Sequence, residues 1–259
     1  MGAKRLFVTG GASGIGRATA HLFAARGFTV GLADINEAGL AAVAAELPAG
    51  QASIHRLDVR DRDDWARALA EFAGEGGIDV LFNNAGIAVG GPFAATSAAE
   101  IDRCIAINFT GVVNGAHAAF PYLKRAPGSC LLNTASAAGI YGSAGLAIYS
   151  ATKFAVRGLS EALDGEWRRE GVKVRCLMPS FIDTPLLDAG VAGSNRTARE
   201  GVQAAGLEFT PVEKVAEAAW RAVHGDAVHT VVGKTAERMR FAARWFPGKL
   251  RAQMGRGAI

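Results

Sequence analysis

The chain has 259 residues, half of them hydrophobic, and a formal net charge of +4, enough for one domain with a sizeable core. No run approaches the roughly 18 unbroken apolar residues of a membrane span, which argues against a membrane-spanning protein. Seven Lys/Arg and one Glu between Lys234 and Arg256 give that segment +6, so the rest carries 4 − 6 = −2 and is not a basic nucleic-acid surface. Cys104, Cys130 and Cys176, odd in number and set in apolar sequence, read as reduced, buried thiols of a cytoplasmic protein. No Cys or acidic residue stands at ligand spacing from His224 and His229, so no metal is expected.

Lys4 to Thr9 predicts a short buried strand that starts too near the N-terminus to leave room for a signal peptide. It runs into the turn Gly10-Gly11-Ala12-Ser13-Gly14-Ile15-Gly16, and a helix follows to about Arg26. A glycine-rich turn between strand and helix lets a pyrophosphate approach the backbone, while the helix N-terminus supplies free N–H groups. The next strand, from Thr29 to Ala33, ends in Asp34, eighteen residues after Gly16. A carboxylate there can hydrogen-bond the ribose hydroxyls of an adenosine and repels a 2′-phosphate. Ser13 and Ile35 offer that phosphate no charge, so NAD is expected over NADP, with Arg17 as the one nearby cation that opposes this.

Asn36 caps a second predicted helix, to about Leu47. Ala52 to Leu57 is the third strand, Asp61 opens a helix to about Ala73, and Ile78 to Phe82 is the fourth strand. Ser97 to about Leu123 reads as one long helix in which Asn108, among apolar neighbours, is either a satisfied core amide or the site of a kink. Gly128 to Thr134 is the fifth strand, Ile148 to about Glu170 a helix, and Val172 to Met178 the sixth strand. Residues 185–210 lack periodicity and read as a mobile substrate lid. Pro211 opens a helix to about Val223, and Val228 to Val232 is the seventh strand. Strands alternating with helices at this spacing predict a single α/β domain over residues 1–259, built on a parallel, doubly wound sheet.

Tyr149 and Lys153 stand four apart, on one face of their helix. An ammonium beside a phenol favours the phenolate and is expected to lower the tyrosine pKa from about 10. Such a tyrosine is a general base for an alcohol or a general acid for a carbonyl, and Ser136 can hydrogen-bond the same oxygen.

With these residues in view, the chain resembles the short-chain dehydrogenase/reductase family over roughly residues 4 to 233. The run from Thr9 through Gly10, Gly14 and Gly16 looks like its cofactor turn, and Asn83-Asn84-Ala85-Gly86 looks like its motif after the fourth strand. Asn108, Ser136, Tyr149 and Lys153 match its catalytic tetrad in order and separation. The resemblance implies a Rossmann-type, seven-stranded parallel sheet with helices on both faces. It makes Tyr149 the acid/base, has Lys153 hold the nicotinamide ribose, and gives Asn108 a water-linked proton relay. Asp58 and Val59 would contact adenine, and Pro179, Ile182 and Thr184 the nicotinamide side. It also implies a homodimer or homotetramer, through the helices that carry Asn108 and Lys153. Ser180 departs from the glycine that commonly follows the matched proline, and so could narrow the pocket.

Motif offsets give a substrate pocket of Ala138, Ile140, Tyr141, Leu146, Phe181, Leu186 and Leu187, with Ile87 and Ala88. It contains no Arg or Lys cluster, so a neutral, apolar secondary alcohol or ketone is expected, such as an aromatic alcohol or a steroid. An NADPH-dependent carbonyl reductase and a non-catalytic NAD-binding regulator are the competing readings. In the basic tail, 234–259, Met239, Ala242, Trp245 and Phe246 are expected to share one helix face. Packing on a neighbouring subunit or over the active site, a membrane-surface contact and a nucleic-acid contact all compete for that face.

Overall fold

The computed structural model describes residues 3–255. Seven strands form one parallel sheet in the order β3-β2-β1-β4-β5-β6-β7. They are β1 (Arg5–Thr9), β2 (Thr29–Asp34), β3 (Ala52–Arg56), β4 (Val80–Asn83), β5 (Cys130–Thr134), β6 (Lys173–Pro179) and β7 (His229–Val232). The chain enters at the middle of the sheet, builds outward to β3, then returns to the other side of β1 with β4. The strand order therefore reverses between β1 and β4, and a crevice opens beyond their carboxyl ends.

Alternate residues of each strand face opposite layers. Leu6 and Val8 of β1, Val80 and Phe82 of β4, and Cys130 and Leu132 of β5 pack into one core. That core is covered by α1 (Gly14–Ala25), α2 (Glu37–Glu46) and α8 (Val212–His224). Phe7, Leu81, Leu131 and Val174 point the other way, into a core closed by Trp65, Leu69 and Leu123. Those three come from α3 (Arg62–Ala73) and α5 (Gly111–Lys124). The helix α6 (Ala147–Trp167) lies on the same layer and contributes Val156 to a third cluster with Met178 and Met239. All three cysteines are free and buried. Among the described residues no helix is long and apolar enough to cross a membrane.

Three expectations change. The helix read as continuous from Ser97 is α4 (Ala98–Ile105), then a π-helical turn over Ala106–Thr110, then α5. Asn108 is a satisfied core amide, fully buried and bonded both ways to the Ile87 backbone, and it also marks the irregularity: the extra residue of the π turn falls around it, a distortion that apolar periodicity does not register. The segment 185–210 is not irregular throughout. It contains a 3₁₀ turn, Pro185–Asp188, and α7 (Ala198–Ala204). The α7 start is a capping box in which Thr197 and Glu200 satisfy each other's backbone N–H, and Thr197-x-x-Glu200 was its legible sign. In the tail, α9 (Lys234–Trp245) and α10 (Pro247–Met254) separate the four residues assigned to one face. Met239 is buried and Ala242 half-buried, but Trp245 and Phe246 are exposed, because six residues at about 100° each carry Trp245 away from Met239. Residues 256–259 of the tail lie outside the described residues.

Candidate active site

The turn after β1 is held by the segment after β4. The Thr9 hydroxyl accepts from the N–H groups of Asn84 and Ala85 at 3.0 and 3.1 Å, and Asn84 Nδ2 donates to the Thr9 carbonyl at 3.0 Å. Gly14 has a φ of 51°, and a Cβ there would lie 3.1 Å from the Thr184 side chain, so this position of the turn disfavours any side chain. Ser13 sits at the N-cap of α1 but its side chain makes no cap hydrogen bond, and the first turn holds no acid. The N–H groups of Gly14, Ile15 and Gly16, which have no intrahelical partner, are left for an anion.

This turn forms one end of a cavity of about 700 Å³ beyond the strand ends. Its lining includes Gly10, Ser13, Gly14, Ile15, Asp34, Ile35, Asp58, Val59, Asn84, Ala85 and Gly86, and further along Pro179, Ile182 and Thr184. Gly16 is behind the surface, where a Cβ would strike the Gly10 carbonyl. Asp34 accepts from the backbone N–H of Ala12 at 3.3 Å and of Asn36 at 3.1 Å, which aims the carboxylate at the cavity. The three nearby guanidiniums are engaged: Arg17 is bidentate to Glu46 at 2.9 Å, Arg60 grips Asp58, and Arg56, the register partner of Asp34 on β3, pairs with Glu37 at 3.7 Å and Asp64 at 3.5 Å. A dinucleotide fits this set of groups, with donors for phosphate at one place and an acceptor for ribose at the other.

At the other end Ser136, Tyr149 and Lys153 line the same cavity. Lys153 is 4 % exposed and donates to the Thr134 carbonyl at 2.9 Å, with its Nζ 5.6 Å from the centre of the Tyr149 ring. Burial pushes Tyr149 up to about 12, against a lowering hydrogen bond from Ser136, and burial pushes Lys153 down to about 8. The expected lowering of Tyr149 by its lysine is therefore reversed. The lysine is itself deep in the protein and holds its charge weakly, so it pulls little on the phenol.

Asn108 does not line the cavity; it anchors the wall. Its Oδ1 accepts from Ile87 N at 2.8 Å and its Nδ2 donates to Ile87 O at 2.9 Å, which fixes the backbone just after Gly86. A Cβ on Gly86 would lie 3.2 Å from Asn108 Oδ1 and 3.6 Å from Lys153 Nζ, so the wall is thin there.

Of the expected substrate residues, Ala138, Leu146, Phe181, Leu186 and Leu187 line the cavity, as do Ile87 and Ala88. Ile140 and Tyr141 do not, which corrects that assignment: both pack into the third core cluster with Val112 and Val156. Ser180 also lines the cavity, but its hydroxyl turns toward Thr210 at 3.5 Å, into space that Gly233 leaves open. Its departure from glycine is thus absorbed by a second glycine.

Motif offsets missed Arg103, Thr235 and Met239, which also line the cavity. Arg103 and Ile107 are an i, i+4 pair that both face it, a spacing visible in the sequence. Arg103 is exposed, makes no ion pair among the described residues, and also lines an adjoining recess of about 430 Å³. Thr235 and Met239 arrive from the tail, which no motif connects to the site.

A family profile described as short chain dehydrogenase matches residues 4–194. The chain belongs to the short chain dehydrogenase family. It is 38 % identical over 189 residues to the 2,5-dichloro-2,5-cyclohexadiene-1,4-diol dehydrogenase of Sphingobium indicum, covering 72 % of this chain and 76 % of that one. It is 37 % identical over 182 residues to the meso-2,3-butanediol dehydrogenase of Serratia marcescens, covering 70 % and 72 %. A short chain dehydrogenase from Burkholderia phymatum in complex with NAD superposes with a TM-score of 0.81 at 26 % identity, over 98 % and 96 % of the two chains. One from Burkholderia cenocepacia in complex with NADP shares the fold, with a TM-score of 0.83 at 21 % identity over 98 % of each chain. This short chain dehydrogenase therefore has an oxidoreductase scaffold that accepts nicotinamide dinucleotides in its relatives.

Proposed function

We propose that the protein is an NAD-dependent short-chain dehydrogenase that interconverts a secondary alcohol, apolar around its carbinol carbon, and the matching ketone. The observation that carries this reading is one cavity with Asp34 at one end and Ser136, Tyr149 and Lys153 at the other. The turn Gly10–Gly16 and the α1 N-terminus bind pyrophosphate, and Asp34 takes the ribose hydroxyls while Asp58 and Val59 flank the adenine. A bound nicotinamide supplies the hydride acceptor, and its positive charge favours the Tyr149 phenolate. Ser136 orients the substrate oxygen, Tyr149 takes its proton on oxidation and returns it on reduction, and Lys153 holds the proton next in line. Asn108 keeps the Ile87 backbone, and with it the cavity wall, in place.

The engagement of Arg17 by Glu46, of Arg60 by Asp58 and of Arg56 by Glu37 and Asp64 leaves no unpaired guanidinium beside Asp34, among the described residues, to hold a 2′-phosphate. That supports NAD over NADP. Ala138, Leu146, Phe181 and Leu187 favour an apolar carbinol region. The dienediol and butanediol dehydrogenases among the relatives bring cyclic and vicinal diols into the candidate set. The free, buried thiols suit a cytoplasmic protein, and the homodimer or homotetramer rests on the family resemblance alone.

The test is absorbance at the reduced-nicotinamide wavelength, with NAD and NADP in parallel, over secondary alcohols and diols with and without a distal carboxylate. The expected result is turnover with NAD that the Tyr149→Phe variant loses, with affinity for NAD retained. Asp34→Ser should raise NADP turnover at least about tenfold, because it removes a like charge from the 2′-phosphate. Turnover with NADP alone would overturn the assignment of Asp34, and NAD binding with no turnover of any alcohol or ketone would overturn the enzymatic reading. The carboxylate-bearing members of the panel read what Arg103 adds at the cavity mouth.

A further inference from the structure

We propose that the exposed face formed by α9 and α10 docks on an anionic lipid surface. Phe241 and Trp245 stand one helical turn apart and are 59 % and 61 % exposed, and Phe246 beside them is 47 % exposed. The Phe241 and Phe246 rings lie 5.9 Å apart, so they form one cluster. Cations frame it. The Arg244 guanidinium is 5.4 Å from the Trp245 ring centre, and the Lys249 ammonium is 5.6 Å from that of Phe246. Arg238, Arg240 and Arg251 are exposed around them, and none of these five cations is in an ion pair among the described residues.

The composition selects the occupant. Between residues 234 and 255 there are six cations and one acid, a net charge of 6 − 1 = +5. An isologous contact with a second copy of the chain would set +5 against +5 around the same aromatics. An anionic bilayer reverses that sign. It attracts each arginine or lysine near its surface by about fivefold in partitioning. Its headgroup layer accepts Trp and Phe side chains, while arginine stems lie along apolar surface with their heads in water. The opposite face of α9 is built into the protein: Ala236 is fully buried, and Thr235 and Met239 wall the cavity. Docking through α9 therefore holds the cavity about one helix diameter from the lipid.

The experiment is co-sedimentation of the full chain with vesicles of phosphatidylcholine alone and of phosphatidylcholine with about 30 % phosphatidylglycerol, at low and high salt. Subunit number is followed in parallel by light scattering. At least about tenfold more protein should pellet with the anionic vesicles, and the excess should fade at high salt. Phe241→Ser with Trp245→Ser, and separately Arg238→Glu with Arg244→Glu, should each remove most of it without changing subunit number. These side chains are exposed, so the variants should fold. Equal pelleting with both vesicles, no pelleting, or unchanged pelleting of both double variants would overturn the proposal. A fall in subunit number in the aromatic variant, with no vesicle binding by the parent chain, would also overturn it and make the face a subunit contact. None of these readouts depends on turnover, so they fail or succeed independently of the dehydrogenase reading.

Discussion

Lys153 is the residue whose chemistry conflicts most with its surroundings. It is almost fully enclosed, has one carbonyl partner, and is driven down to about 8 by burial. Between about 8 and its ordinary value near 10.5 the folded chain binds this proton less readily than the unfolded chain, so stability rises with pH there. Lys153→Met removes both the buried charge and that slope. The variant should be inactive yet more stable than the parent near neutral pH, and the gap should shrink by up to about 1.4 kcal/mol per pH unit from 8 to 10. Urea unfolding at pH 7, 8, 9 and 10 measures it, and a gap that does not move with pH would refute the argument. At this scale the sequence was informative about identity and weak about environment. Ser136, Tyr149, Lys153 and Asp34 could be picked out because the proposed chemistry calls for those residue types, and all four line the one cavity. The direction of the Tyr149 shift was not, because spacing reports a neighbouring charge but not how much water the fold withholds from both groups. Ile140 and Tyr141 failed for a related reason: an offset along the chain does not say which way residues leave the 3₁₀ turn Ala137–Gly139 that precedes them.

Among the elements, the segment over the cavity shows most clearly how a stretch without periodicity is still ordered. Arg199, in the first turn of α7, donates to Asp183 at 2.5 Å, to Asp188 at 2.6 Å and to the Thr184 carbonyl at 3.1 Å. One side chain thereby ties α7 to both ends of the 3₁₀ turn that contributes Pro185, Leu186 and Leu187 to the cavity. Those contacts are between residues of no hydrophobic pattern, so periodicity could not reveal them. Single exposed ion pairs contribute little, but a shared guanidinium with a backbone bond is a network. Arg199→Gln should raise KM for the alcohol about three- to tenfold, change kcat less, and leave affinity for NAD nearly unchanged. A lid that matters for closure alone predicts that split in steady-state kinetics; equal loss of cofactor affinity would contradict it. The strands were read with bounds within about two residues of those observed, because buried parallel strands are short apolar runs between turn residues. The π turn at Asn108 escaped because one inserted residue leaves the composition on either side unchanged.

At the scale of the molecule, the two helical layers are joined through Arg175 of β6. Its Nη1 donates to Asp164 of α6 at 2.9 Å, while its Nε and Nη2 donate to the Gly225 carbonyl at the end of α8, on the opposite face of the sheet. Arg168 donates to the second Asp164 oxygen at 2.6 Å. Burial alone would raise the Asp164 pKa, but the hydrogen bond and charge of Arg168 and the charge of Arg175 hold it below the ordinary value. Its stabilising contribution is therefore complete above about pH 4 and fades as pH falls through the lower folded value. Asp164→Asn should destabilise the protein by about 3 kcal/mol at pH 7, because it leaves the buried Arg175 charge without its carboxylate. The difference from the parent should narrow at pH 3, and a constant difference in urea unfolding would count against it. The doubly wound sheet itself was readable from the alternation of strands and helices. This tie was not, since an Asp and an Arg eleven residues apart on different elements carry no local sign of meeting.

Because β1 is the middle of the sheet, synthesis delivers it before both of its neighbours, and β4 only after β2 and β3. The ladder β1–β2–β3 is complete in sequence by Arg56, but the other edge of β1 pairs only with β4, which begins at Val80. At roughly 5–20 residues per second those 80 − 56 = 24 residues take about 1–5 s to emerge. For that interval the nascent chain carries Leu6, Phe7 and Val8 on an open strand edge, a template for pairing with another chain. The seam between β1 and β4, beyond whose carboxyl ends the crevice later opens, is thus during synthesis an edge that a chaperone could shield.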